Sequence, residues 1–166
     1  MKRPLSTAIC ITFASIGSMG AFCMPAAQDT ATPTPQVDTG ETYRKLFVQQ
    51  YESLNPTIDE YFDKIDLQEA EYQDWHERVD DDKKQKATYG MVIKQHDDLI
   101  ERTKDAQAEY DQWQAYHEEH KATATPEHQN HQSQEGQQLQ QTALKIFSDY
   151  GQLKTTMMRL APLHDM

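Results

Sequence analysis

Cysteine is nearly absent, and that sets the first boundary. Only Cys10 and Cys23 occur in 166 residues. Beyond residue 23 there is no means of forming an internal disulfide, a thiolate zinc site or a Cys-x-x-Cys redox pair. Between Pro56 and Pro126 there is no proline, and Gly90 is the only glycine. Alternating β-branched runs are missing, which leaves little room for hairpins, and no repeat of solenoid period is visible. After Phe22 no apolar run is long enough to cross a bilayer. Enzyme signatures are also lacking. There is no G-x-S-x-G and no phosphate-cradling glycine loop, and Ser53, Ser133 and Ser148 have no glycine context. Carboxylates are so abundant that no acid–base pair stands out.

Positive charge is scarce. Lys and Arg number 16 against 27 Asp and Glu, a formal net charge of −11. Nucleic acid and anionic membrane need counter-charge, so neither is expected as a partner.

The N-terminal segment reads as a targeting signal. Lys2 and Arg3 form a positive n-region, and Leu5 to Phe22 is uncharged and largely apolar or small. Residues 1–23 are thus expected to be a signal peptide, with cleavage between Gly20 and Ala27, in an exported periplasmic or secreted protein. Removing Lys2 and Arg3 takes the net charge to about −13. Cys23, followed by a Pro- and Thr-rich stretch, raises the alternative of a lipid-anchored envelope protein; Phe22, not a small residue, stands against it. Residues 24–40 carry Pro25, Pro33 and Pro35 and no apolar periodicity, so they are expected to be a disordered leader.

From residue 41 the composition becomes that of a helical protein, rich in Glu, Gln, Lys, Asp and Ala with aromatics at regular intervals. Tyr43, Leu46, Phe47, Tyr51 and Leu54 predict a helix over 41–54. Asn55-Pro56 then breaks or kinks it, Asn55 being a good N-cap and Pro56 a good first helical residue. The next seam is Ile58, Tyr61, Ile65, Tyr72, Trp75 and Val79. Asp80-Asp81-Asp82-Lys83-Lys84 interrupts the pattern. A further helix carries Tyr89, Val92, His96, Leu99, Thr103, Ala106, Tyr110, Trp113, His117 and His120 in unbroken steps of three and four. Thr125 is an N-cap and Pro126 the first residue of the last helix, whose seam is Leu139, Ala143, Ile146, Tyr150, Leu153, Met157 and Leu160.

Segments 41–79, 83–121 and 127–161 are each about 55 Å long as helices. Matched lengths and short connections predict an all-α, elongated antiparallel three-helix bundle, its first arm kinked at Asn55-Pro56, over residues 41–161. Residues 162–166 form a short tail after Pro162. The rival is a long helical hairpin with coiled-coil-like seams, in which the second and third segments fuse into a rod of roughly 95 Å. The seams hold Tyr, Trp, His and Thr as often as Leu or Ile. Such a thin core leaves apolar surface for a protein partner or a homo-oligomer.

One constellation could carry chemistry. His117-Glu118-Glu119-His120 closes the third helix and His128-Gln129-Asn130-His131 opens the fourth. A helical hairpin would gather His117, His120, His128 and His131 at one tip, where imidazoles suit Zn(II), Cu(II) or Ni(II). Against this, His117 and His120 fall on the core seam, and the stretch around His128 and His131 reads as a solvated helix start. The zincin motif is absent, since Lys121 stands where its second histidine belongs. Met157, Met158, His164 and Met166 are candidate copper ligands, with core packing the competing role for Met157. Asp80 to Asp82 lack the spacing of a calcium loop. The histidines also offer a pH-sensing role if buried. The composition thus points to a non-enzymatic helical protein acting by protein contact in a bacterial envelope, with divalent metal binding at the hairpin tip as the alternative.

Overall fold

The structure is a computed structural model that describes residues 39–160. The expected signal peptide, Cys23 and nearly all of the leader lie outside the described residues, as does the tail, which includes His164 and Met166. Four helices make up the described unit: α1 (Thr39–Arg78), α2 (Asp81–Lys84), α3 (Ala87–His120) and α4 (Pro126–Leu160). The protein is an all-α helical bundle, and among the described residues no helix is long and apolar enough to cross a membrane.

The topology is up-down-up. Tyr51 meets His117 and Tyr72 meets His96, so α1 and α3 are antiparallel. Arg102 bridges to Asp149 at 2.8 Å and Trp113 Nε1 donates to the Gln132 carbonyl at 2.9 Å, so α3 and α4 are antiparallel too. Gln132 reaches the Phe47 carbonyl and Lys154 pairs with Glu71 at 2.6 Å, which sets α4 parallel to α1. The closest backbone approaches are those of α4 to α1 and to α3. Where α1 and α3 face each other, long aromatic side chains span the gap.

Each long helix buries one stripe at heptad spacing. In α1 it runs through Phe47, Ile58, Ile65, Tyr72 and Trp75, with Phe62 also buried beside half-buried Tyr61. Nine residues of α3 are buried, at the spacing read from the sequence: Tyr89, Val92, His96, Leu99, Thr103, Ala106, Tyr110, Trp113 and His117. The α4 stripe extends further towards the N-terminus than its apolar residues suggest, through Gly136 and Gln132.

Two of the alternatives left open by the sequence are excluded. The first helix does not end and restart at Asn55-Pro56; α1 runs unbroken for 40 residues with Pro56 inside it. Asn55 is drawn sideways instead of capping. Its Oδ1 accepts from the Tyr110 hydroxyl at 2.6 Å and from Gln114 Nε2 at 3.1 Å, both on α3. Tyr110 lies equally close to Asp59 Oδ1, so bonds to α3 hold the chain on both sides of the proline, where the helix lacks a backbone donor. The fused-rod alternative is also excluded. Asp80 caps α2 by accepting from the Asp82 amide at 3.2 Å, and the chain turns between Arg78 and Ala87.

Gly136 shows how tightly α4 is wedged. A Cβ there would stand 2.8 Å from Leu54 Cδ1 and 2.8 Å from Trp113 Cζ2. Leu54 can rotate away, but Trp113 is 1 % exposed and tied to Gln132. Gly151, in the same helix, has open space around it. Alanine gains about 1 kcal/mol of helix propensity at either site, whereas overpacking costs about 1–3 kcal/mol. Gly136→Ala should therefore lower stability by about 1 kcal/mol, and Gly151→Ala should raise it by about 0.5–1 kcal/mol. Urea titration of both variants checks the opposite signs; a stabilised Gly136→Ala would mean that the three helices are not in close contact at this level.

Candidate functional site: the histidine end of the bundle

The connection between α3 and α4 is built from ordinary capping chemistry. The Lys121 amide donates to the His117 carbonyl at 2.9 Å and the Thr123 amide to the His120 carbonyl at 3.0 Å, closing α3. Ala124 is buried beneath the turn. Thr125 caps α4, its Oγ1 accepting from the His128 amide while the Thr125 amide donates back to His128 Nδ1, both at 3.4 Å. This is a reciprocal capping box with histidine in the place usually held by Glu or Gln.

The hairpin brings three of the four tip histidines around one phenol ring. His120 lies 4.2 Å from the Tyr116 ring and His131 lies 4.6 Å from it, both between centroids. His128 is 6.0 Å from Tyr116 and 4.3 Å from His120. His120 Nδ1 donates to the Tyr116 carbonyl at 2.9 Å, and His131 Nδ1 faces Glu135 Oε1 at 3.3 Å. The Tyr116 hydroxyl is held above its ordinary pKa by burial, then by Glu135 and Glu119.

His117 points elsewhere. It is 4 % exposed, stacked on Tyr51 at 3.8 Å and on Phe47 at 5.2 Å, with Gln132 Nε2 3.1 Å from its Nδ1. Three residues along a helix is a turn of about 60° short of a full circle. That offset sends His117 into the core and leaves His120 on the flank. Among the described residues, no group of three or more His, Cys, Asp or Glu side chains is gathered to hold a metal ion. Of the lesser candidates, Met157 is buried in the core and Met158 is exposed. Asp80 is occupied with capping, and Asp81 pairs with Lys84 at 3.0 Å.

Two groups escaped the sequence reading. Gln132 is fully buried and joins three helices, bonding to the Phe47 carbonyl and His117 by its side chain and to Trp113 by its carbonyl. Its signal was available: it lies seven residues before Leu139, one heptad back along the α4 seam. Tyr116 was missed because it stands beside the seam, between two heptad positions.

A second feature lies at the other end of the α3–α4 pair. There an open groove of about 610 Å³ is floored by Leu99 and Leu153, with Met91, Lys94 and Asp98 along its α3 side. Met91 is 64 % exposed. Arg102 crosses the groove to Asp149.

Scans against protein-family models, curated proteins and solved structures find no match to this chain.

The buried histidines give a pH dependence with a definite sign. His96 stacks on Tyr72 at 3.4 Å with the rings 5° from parallel, and meets Tyr150 edge-on. Burial holds its pKa below the ordinary histidine value, with Asp97 opposing and His76 reinforcing. His117 is lowered by burial too, opposed by its bond to Gln132 and by Glu118 and Glu52, and reinforced by Lys121. The unfolded chain takes up these protons near pH 6.5, before the folded chain does. The histidines' contribution to stability is thus intact above about pH 6.5 and is lost as pH falls from there to the lowered folded value. His96→Phe keeps a ring in the stack and removes the proton site. The variant should lose less stability than the parent between pH 7 and pH 5, as read by urea midpoints. Identical losses would show that His96 is not kept neutral in the fold.

Proposed function

We propose that this protein is a non-catalytic helical bundle that works in the bacterial envelope by docking an amphipathic, basic helix of another protein along the α3–α4 groove. The observation that carries this reading is the groove itself. It has an apolar floor at Leu99 and Leu153, an exposed Met91 at its lip, and charged side chains along its edges. A groove between two packed helices is the shape that accepts a further helix, whose apolar face supplies affinity. Methionine suits such a surface because its unbranched side chain adapts to the partner. The groove's own charges balance, Lys94 and Arg102 against Asp98 and Asp149, so the preference for a basic partner comes from the whole molecule, whose net charge is about −13 once Lys2 and Arg3 are removed. The envelope assignment rests on Lys2, Arg3 and the apolar stretch that follows them.

A photo-crosslinking amino acid at Met91 should yield a discrete adduct in cells. The same group at Gln73, exposed on α1 and outside the groove, should not. Raising the salt concentration before illumination should weaken the adduct, because charge attraction is screened. Equal labelling from both positions, or none from Met91, would refute the groove as a docking surface.

A further inference from the structure

We infer that His120 and His128 form a two-imidazole site for a borderline divalent cation, Zn(II), Cu(II) or Ni(II), that pins the end of α3 to the start of α4. The two rings come from different helices and stand 4.3 Å apart between centroids. Sharing an ion at about 2.0–2.1 Å from each nitrogen requires the two rings to part slightly and to turn one nitrogen each towards it. A carbonyl oxygen only accepts, so His120 Nδ1 donates in the 2.9 Å contact to the Tyr116 carbonyl, which makes Nε2 the atom that would face a metal. A ligating histidine characteristically has its second nitrogen engaged in this way. His128 exchanges a weaker contact: binding through Nε2 moves its proton to Nδ1 and gives up the 3.4 Å bond from the Thr125 amide.

The surroundings favour a cation. Glu119 and Glu135 both act on Tyr116, the ring that His120 and His131 pack against. His120 ends α3, where the helix dipole presents its negative pole. The positive pole at the start of α4 opposes this, and two protein ligands leave the remaining positions to water. Affinity is therefore modest, and oxygen-seeking Mg(II) is not accepted. His117 takes no part, because it is stacked in the core against Tyr51 and Phe47. The site sits at the opposite end of the α3–α4 pair from the groove proposed to dock a partner. Loss of one therefore leaves the other testable.

Thermal unfolding of the untagged full chain, followed by circular dichroism at pH 7.5 in a non-chelating buffer, tests the site. ZnCl2 or NiCl2 at about a hundred times the Kd should raise Tm by roughly 5–10 °C, and MgCl2 should not. The double variant His120→Gln/His128→Gln should lose the shift. His128→Gln alone, at the turn and outside the core, should lose most of it while keeping the parent's helical spectrum. His117→Gln should start from a lower Tm and keep the shift. No shift in the parent chain, or an equal shift in the folded double variant, overturns the proposal. Loss of the shift in folded His117→Gln would also overturn it, by making the buried imidazole a ligand.

Discussion

The alignment of α1 against α3 is the constraint on which the rest of the bundle depends. It is set by two equivalent stacks, Tyr51 on His117 and Tyr72 on His96, with ring centroids 3.8 Å and 3.4 Å apart. On each helix the two members are three heptads apart, so both stacks satisfy one antiparallel register. Sliding α1 by a single residue would break both stacks together and part Tyr110 from Asn55 and Asp59. Each aromatic pair contributes about 0.5–1.5 kcal/mol beyond burial. Their value lies as much in selecting one alignment as in strength. Thin aliphatic stripes tolerate slippage, whereas matched flat rings do not.

That selectivity has a cost in the core. His96, Thr103, His117 and Gln132 occupy buried seam positions that aliphatic residues would fill more favourably. Thr103 returns its hydroxyl to the Leu99 carbonyl at 2.8 Å, and Gln132 and His117 satisfy one another. His96 Nε2 and the Gln68 Oε1 atom are buried without a hydrogen-bond partner. Each such group costs about 1–3 kcal/mol. Polar residues at heptad core positions specify register at the expense of stability. This bundle places them on all three long helices, counting Gln68 on α1.

The sequence was legible where one helix's own periodicity decides the outcome. The α3 stripe from Tyr89 to His117, the α4 stripe from Leu139 to Met157 and the Thr125-Pro126 start were all read directly. It was misleading where a side chain had two uses. Asn55 before Pro56 has the local chemistry of a helix start, and only its partners on α3 reveal otherwise. Gln132 is one glutamine in a polar stretch; the heptad step back from Leu139 marks its position on the seam, but the partners that hold it, Phe47 and Trp113, lie on other helices. The hairpin does bring the end of α3 beside the start of α4, as the matched segment lengths and short connection implied. What spacing alone could not resolve was the division between a core imidazole, His117, and the flanking His120, because both satisfy the same heptad count.

Helix α4 is the last of the long helices to be synthesised, and it makes the closest backbone approaches to both of the others. Its contacts with α1 join residues some 85 positions apart, such as Phe47 and Gln132. Most helical bundles draw on neighbours close in sequence and fold fast for that reason. Here α1 and α3 have no closed core until α4 arrives, so a nascent chain stalled before residue 126 presents two striped helices with nothing to seal them. Closure of the core in effect waits for α4. A premature stop upstream of α4 should leave α1 and α3 open to proteases, not yield a smaller stable bundle.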